Sequence, residues 1–340
     1  MSRILARTIR VLTAVSMVFL SSTGCMPTYP KEKLPEAVKE VCKIEYDMDV
    51  EVAVAGSTIG IYHPMKGLLD VGLGISEEAW DNISSLILIA SRVVLSTDAD
   101  IKFYCVVTQD PRLPELQVVI IKYVYDVKRS MYQSISRSES FKRTLFSINL
   151  TPQATKERSV EKVFDKLGVA DTTREKVMEE FFRSPPTKLS DIGYWRGEFY
   201  LKDVSLEEFL AAQIANRIKL DFRGEKPLSE LFDFKSAEGD FIRTTTAGEF
   251  DIKFKIADQT AEESPEALRE KKVGKILDIA STVFEGYKFR AFDHMVLEDQ
   301  LENAQLRVSE KDIYELKKSR DPVRKIVQAP AGYFTVLAAQ

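Results

Sequence analysis

Apolar and polar residues alternate from Asp49 to Tyr62 (DVEVAVAGSTIGIY): Val50, Val52 and Val54 are spaced by two, Gly56-Ser57 breaks the run, and Ile59-Gly60-Ile61 resumes it. A period of two interrupted by a glycine turn predicts a β-hairpin. Ser76-Glu77-Glu78-Ala79 then predicts a helix start, with Ser76 as N-cap and the acids complementing the helix dipole. Trp80, Ile83, Ile87, Ala90 and Val94 recur at helical spacing, with Leu86 and Leu88 beside them. Such a helix is apolar on most sides and is expected to be buried. Ile101–Val107 (IKFYCVV) and Leu116–Tyr125 (LQVVIIKYVY) read as two strands around a loop, Asp110–Pro114.

The same order returns further along. Phe241–Ile256 (FIRTTTAGEFDIKFKI) predicts a second hairpin, with Ala247-Gly248 in the role of Ala55-Gly56. Ser264-Pro265-Glu266-Ala267 opens a helix with proline in its first turn, and Val273, Ile276, Leu277, Ala280 and Val283 form its stripe. Lys288-Phe289 is expected to open a strand as Lys102-Phe103 does, with a partner strand within Gln305–Leu316. ILIASRVVLSTDADIKFYCVV resembles ILDIASTVFEGYKFRAFDHMV, and YVYDVKRS resembles DIYELKKS; Ala90 and Ala280 are 190 positions apart and Ser130 and Ser319 are 189 apart. The expected fold is therefore α/β (α+β): two related β-β-α-β-β units with antiparallel sheets, separated by a mainly helical segment. The period is far too long for a solenoid.

The middle segment has its own punctuation. Ser159–Leu167 and Thr172–Phe182 read as short helices, and Thr172/Glu175 and Ser205/Glu208 as capping boxes. Ser205–Lys219 places Leu206, Phe209, Leu210, Ile214 and Ile218 on one helical face, and Tyr194–Leu201 (YWRGEFYL) reads as a strand.

The first 25 residues carry a different pattern. Arg3, Arg7 and Arg10 precede a ten-residue apolar stretch, Val11–Leu20, followed by Ser21-Ser22-Thr23-Gly24-Cys25. A positive start, a short apolar core and a small-residue exit describe a secretory signal peptide; ten helical residues reach only about 15 Å, half of a ~30 Å hydrocarbon core. Ser22-Thr23-Gly24-Cys25 resembles the lipobox of bacterial lipoproteins, with Ser22 where that family usually carries Leu. The resemblance implies lipidation of Cys25 and cleavage just before it, leaving the body outside the cytoplasm in the cell envelope. Met26 is not acidic, which by the family's sorting rule implies the outer membrane more than the inner. Pro27, Pro30 and Pro35 favour an extended spacer. The expected organisation is signal peptide 1–24; anchor, spacer and short helix 25–47; first unit 48–150; helical segment 151–239; second unit 240–320; tail 321–340.

Composition narrows the chemistry. The 340 residues hold 48 basic and 52 acidic side chains, and loss of the signal's three arginines leaves 45 and 52, net −7. That balance excludes a strongly basic nucleic-acid binder, and no nucleic-acid partner is expected. The chain has three cysteines, and Cys42 and Cys105 remain after lipidation; a disulfide between them and two buried free thiols are both open. With two histidines, His63 and His294, remote from each other and no CxxC, no metal or other cofactor is expected. No GxSxG, Walker loop or HExxH occurs. Asp98 and Asp100 bracket a helix-to-strand turn. Lys128-Arg129 follows one predicted strand pair and Lys317-Lys318 the other. These four are candidates for a basic binding face, or for a solvated edge that blocks aggregation.

The resulting expectation is a membrane-anchored envelope lipoprotein, a non-enzymatic binding or scaffold module. Its membrane contact is the N-terminal lipid, and its partner an envelope protein or an anionic glycan. The alternative is a lipid-tethered hydrolase using carboxylates at the junction of the two units.

Overall fold

The computed structural model describes residues 29–70, 74–151, 166, 168, 173, 176, 186–195, 197–243, 248–260, 263–315 and 334–336. The signal peptide and Cys25, the helices expected at 159–167 and 172–182 with the Thr172/Glu175 box, and Lys317 and Lys318 lie outside the described residues or almost wholly so.

The first α-helix among the described residues is α1 (Leu34–Tyr46), which buries Leu34, Val38 and Cys42 and ends on Asp47 in the left-handed conformation, φ 51. β1 (Glu51–Ala55) and β2 (Thr58–Pro64) form the expected hairpin, with Gly56 at φ 58 in its turn. The Ser76 hydroxyl accepts from the Ala79 N–H and caps α2 (Glu77–Val94). Ile83, Leu86, Ile89 and Ala90 on α2 are fully buried, and α1 packs on this helix. β3 (Phe103–Gln109), β4 (Leu116–Tyr123), α3 (Val124–Met131), α4 (Arg137–Lys142) and β5 (Leu145–Leu150) follow. The strand order is β1-β2-β3-β4-β5, with β1 and β2 antiparallel and β2 and β3 parallel across α2. A helix between two adjacent strands returns the chain to the same end of the sheet, which makes that pair parallel. Asp110 locks the β3–β4 loop by accepting from the Gly67 and Leu68 N–H groups and from Arg112, whose guanidinium holds its carboxyl well below the usual carboxylate range.

β6 (Gly193–Trp195) and β7 (Glu198–Tyr200) replace the single strand expected over Tyr194–Leu201. Gly197 at φ 84 makes the turn between them, a conformation open to glycine at no steric cost. α5 (Leu206–Gly224) carries the expected Ser205/Glu208 capping box, and α6 (Leu228–Leu231) follows it.

The second sheet has the order β8-β9-β10-β11-β12. β8 (Phe232–Ile242) pairs antiparallel with β9 (Glu249–Asp258). α7 (Pro265–Tyr287), capped by Ser264, crosses to β10 (His294–Asp299), which is parallel to β9. β11 (Ala304–Ser309) pairs antiparallel with β10, α8 (Glu310–Glu315) follows directly, and β12 (Phe334–Val336) closes the order. The two sheets thus share the expected strand-strand-helix-strand-strand order, followed at once by a helix. Each runs past the expected unit to a fifth strand, which in the first sheet comes after two helices, α3 and α4. The sheets are rich in antiparallel pairing, with a parallel pair at each crossover. Lys288 caps α7 at φ 54, so the strand expected from Lys288-Phe289 begins only at His294.

The second core is aromatic. Phe250 lies 4.8 Å from Phe284 and 5.2 Å from Phe292, between ring centroids, and Phe284 lies 4.5 Å from Phe292. Lys272, 2 % exposed, is buried and paired: its ammonium donates to the Ile256 carbonyl at 3.1 Å and meets Asp299 at 3.1 Å and Glu302 at 3.3 Å, tying α7 to β9 and the β10–β11 turn.

By compactness the chain divides into two units: Met1–Val118, Leu150–Met178 and Gly193–Leu201 in the first, and Val119–Asn149, Glu179–Ile192 and Lys202–Gln340 in the second. No described helix is long and apolar enough to cross a membrane.

Candidate functional site

Of the expected site residues, Cys42, Cys105, Lys128 and Arg129 are among those described. Cys42 and Cys105 are both buried with free thiols; burial pushes Cys42 up to about 11 and Cys105 up to about 12. Lys128 and Arg129 lie on α3, half-buried. Arg129 turns inward: its Nη1 donates to the Gly286 carbonyl at 3.3 Å and stands 4.0 Å from Asp126. His63 sits at the end of β2, its Nδ1 2.7 Å from the Asp49 carbonyl oxygen, and His294 is the first residue of β10. No group of three or more His, Cys, Asp or Glu side chains among the described residues is arranged to hold a metal ion.

Arg129 belongs to a buried polar network in the second unit. Asp126, fully buried on α3, accepts from Arg143 Nη1 at 2.9 Å and from the Tyr287 hydroxyl at 2.5 Å. Arg143 Nε donates to Glu139 Oε1 at 2.6 Å, and Arg217 Nη2 reaches the same oxygen at 2.8 Å from α5. The Arg143 guanidinium also lies 4.7 Å from the centre of the Tyr287 ring. Gly286 makes this possible, since a β-carbon there would stand 2.7 Å from Arg143 Nη2. Burial works to raise the Glu139 carboxyl, but the two guanidinium groups overcome it and hold the group below the usual carboxylate range. Burial, reinforced by Asp126, pushes the Tyr287 hydroxyl far up. The network gives the buried Asp126 specific partners, which is the condition for a buried ion pair to be tolerated. Its partners come from α3, α4, α5 and α7, so it fixes four helices to one another.

Beside it, α5 turns another face to an open cleft of about 740 Å³, within the size range of small-ligand pockets. Glu208, Ala212, Ala215, Asn216 and Lys219 supply one wall, at the spacing of a single helical face. Val119 and Ile121 of β4 add apolar surface, and β5, β8 and Thr187–Ser190 complete the rim. Two of the lining acids have cationic partners: Glu208 accepts from Lys202 at 2.5 Å, and Asp240 lies 4.0 Å from Lys188. Asn149, on β5, also lines the cleft; its amide nitrogen is buried, with no hydrogen-bond partner among the described residues.

The sequence pointed to α5 through its capping box and its stripe of large apolar residues. The cleft face is the other face, where Ala212 and Ala215 are small, and small residues leave no periodic signal. Compared with protein-family models, with curated proteins and with solved structures, the chain finds no match.

Proposed function

We propose that the mature chain is a lipid-tethered envelope protein that works as a non-enzymatic binding module, with the second-unit cleft as its ligand site. The lipobox-like Ser22-Thr23-Gly24-Cys25 and the prolines after it support the tether. The observation that carries the binding reading is the cleft itself, with apolar walls and a polar rim. The engagement of Glu208 and Asp240 with lysines supports recognition over proton transfer at those acids.

Occupancy is measurable with one introduced thiol, because Cys42 and Cys105 are buried and lipidation consumes Cys25. Ser147→Cys places a thiol in the cleft, and Tyr132→Cys, at a position 83 % exposed on the same unit, serves as control. A membrane-impermeant maleimide is expected to label both in the purified lipoprotein. In isolated envelopes it should label Tyr132→Cys and spare Ser147→Cys. Equal labelling of Ser147→Cys in the two preparations would contradict an occupied cleft.

A further inference from the structure

The way each strand meets the cleft identifies what fits in it. Successive side chains of a strand point to opposite faces of a sheet, so a cavity lying on a face touches every second residue. β4 behaves in this way, contributing Val119 and Ile121. β8 does not: all five consecutive residues from Ala237 to Phe241 line the cleft. β5 likewise contributes Leu145, Phe146 and Ser147 in a row. Consecutive lining means that the cleft runs along the backbone edges of β5 and β8. Each is the last strand in the order of its sheet among the described residues. Edge strands present rows of peptide N–H and C=O groups that pair readily with another chain.

The dimensions agree. A strand residue occupies roughly 160 Å³ at a rise of about 3.3 Å, an interstrand spacing of about 4.8 Å and a layer thickness of about 10 Å. The cleft of about 740 Å³ therefore holds between four and five extended residues, the length of the β8 lip. The floor suits alternating side chains, since Ala212 and Ala215 leave room above α5 and Val119 and Ile121 are apolar. At Gly239 the α5 backbone comes so close that a β-carbon would stand 2.2 Å from the Ala211 carbonyl oxygen, which holds the helix directly beside the β8 lip.

We infer that the cleft binds an extended polypeptide segment of about five residues by strand addition between β5 and β8, with small or apolar side chains at alternate positions. This rests on reading the cleft as the ligand site. Main-chain hydrogen bonds supply affinity in this mode and alternate side-chain pockets supply selectivity.

The test uses a library of fluorescein-labelled pentapeptides with Ala, Val, Leu or Phe at positions one, three and five and Thr or Ser between them. Binding to the full lipoprotein in detergent is read by fluorescence anisotropy. The best binders are then remade with a single backbone N-methyl group at each central position. A strand between two edges bonds through all of its amides, so each methylation is expected to weaken binding roughly fivefold to tenfold. Alternating sensitivity along the peptide would place it on one edge only and overturn the two-edge geometry. No member binding below about 1 mM, or binding indifferent to methylation, overturns the peptide assignment. If Ser147→Cys is still shielded in envelopes in that case, the cleft holds a ligand of another class and the binding-module reading stands. A dimer whose formation excludes the peptides would give the cleft to a second copy and also overturn the inference.

Discussion

Arg143 makes the sharpest case at the scale of the residue. It is 5 % exposed and balances two acids, Asp126 and Glu139, while its planar group lies against Tyr287. Removing one partner of a buried ion pair strands the other, which typically costs about 3–5 kcal/mol. Arg143→Met keeps the length of the side chain and removes the charge, so it is expected to destabilise the protein by that amount. At roughly 2–4 °C per kcal/mol the melting temperature should fall by at least several degrees. A melt like that of the wild type would mean that Asp126 is satisfied without the guanidinium. The local half of this scale was legible in the sequence. Ser76, Ser205 and Ser264 cap the helices predicted for them, because a cap is made within three residues. The network was not legible, because Asp126 meets partners 17 and 161 positions away. Arg129 consequently reads as surface charge in the sequence and points inward in the fold.

Among the elements, α2 and α7 occupy equivalent places, each crossing between a parallel pair of strands. Both carry Ile-Ala-Ser at the matched point: Ile89 and Ala90 are fully buried, and Ile279 and Ala280 are 4 % and 0 % exposed. The small alanine permits close approach and the isoleucine fills the space beside it. Truncating a buried isoleucine to alanine removes packing and leaves a cavity, at about 2–5 kcal/mol. Ile89→Ala and Ile279→Ala are each expected to lower the melting temperature by several degrees; unchanged melts for both would place these helices at the surface. The repeat was legible because hairpin, cap and stripe are local patterns. The start of β8 was missed because a bulge between Phe234 and Ser236 breaks its alternation. As a result β8 runs across position 239/240, where the sequence put the start of the second unit. β12 has only three residues, too short for a periodic signal, and lies in the stretch read as a tail. Among the described residues β5 and β8 are outermost in their sheets, a property of topology that no local pattern encodes.

At the scale of the whole molecule, the proposed protein combines a lipid at Cys25 with an acidic body that carries the cleft. One acyl chain gives only marginal membrane binding, and the two or three implied by the lipobox resemblance give stable anchoring. On the proposed tether, a mature net charge of −7 would be repelled by anionic headgroups. The binding proposal depends on this placement, since a chain retained in the cytoplasm would meet a different set of ligands. The most direct test is metabolic labelling with a fatty-acid probe, followed by recovery of the protein and measurement of its label. Label is expected on the wild type and none on Cys25→Ser, with release of the variant from the membrane fraction. Equal labelling of Cys25→Ser and wild type, or an unlabelled wild type, would contradict the lipid tether.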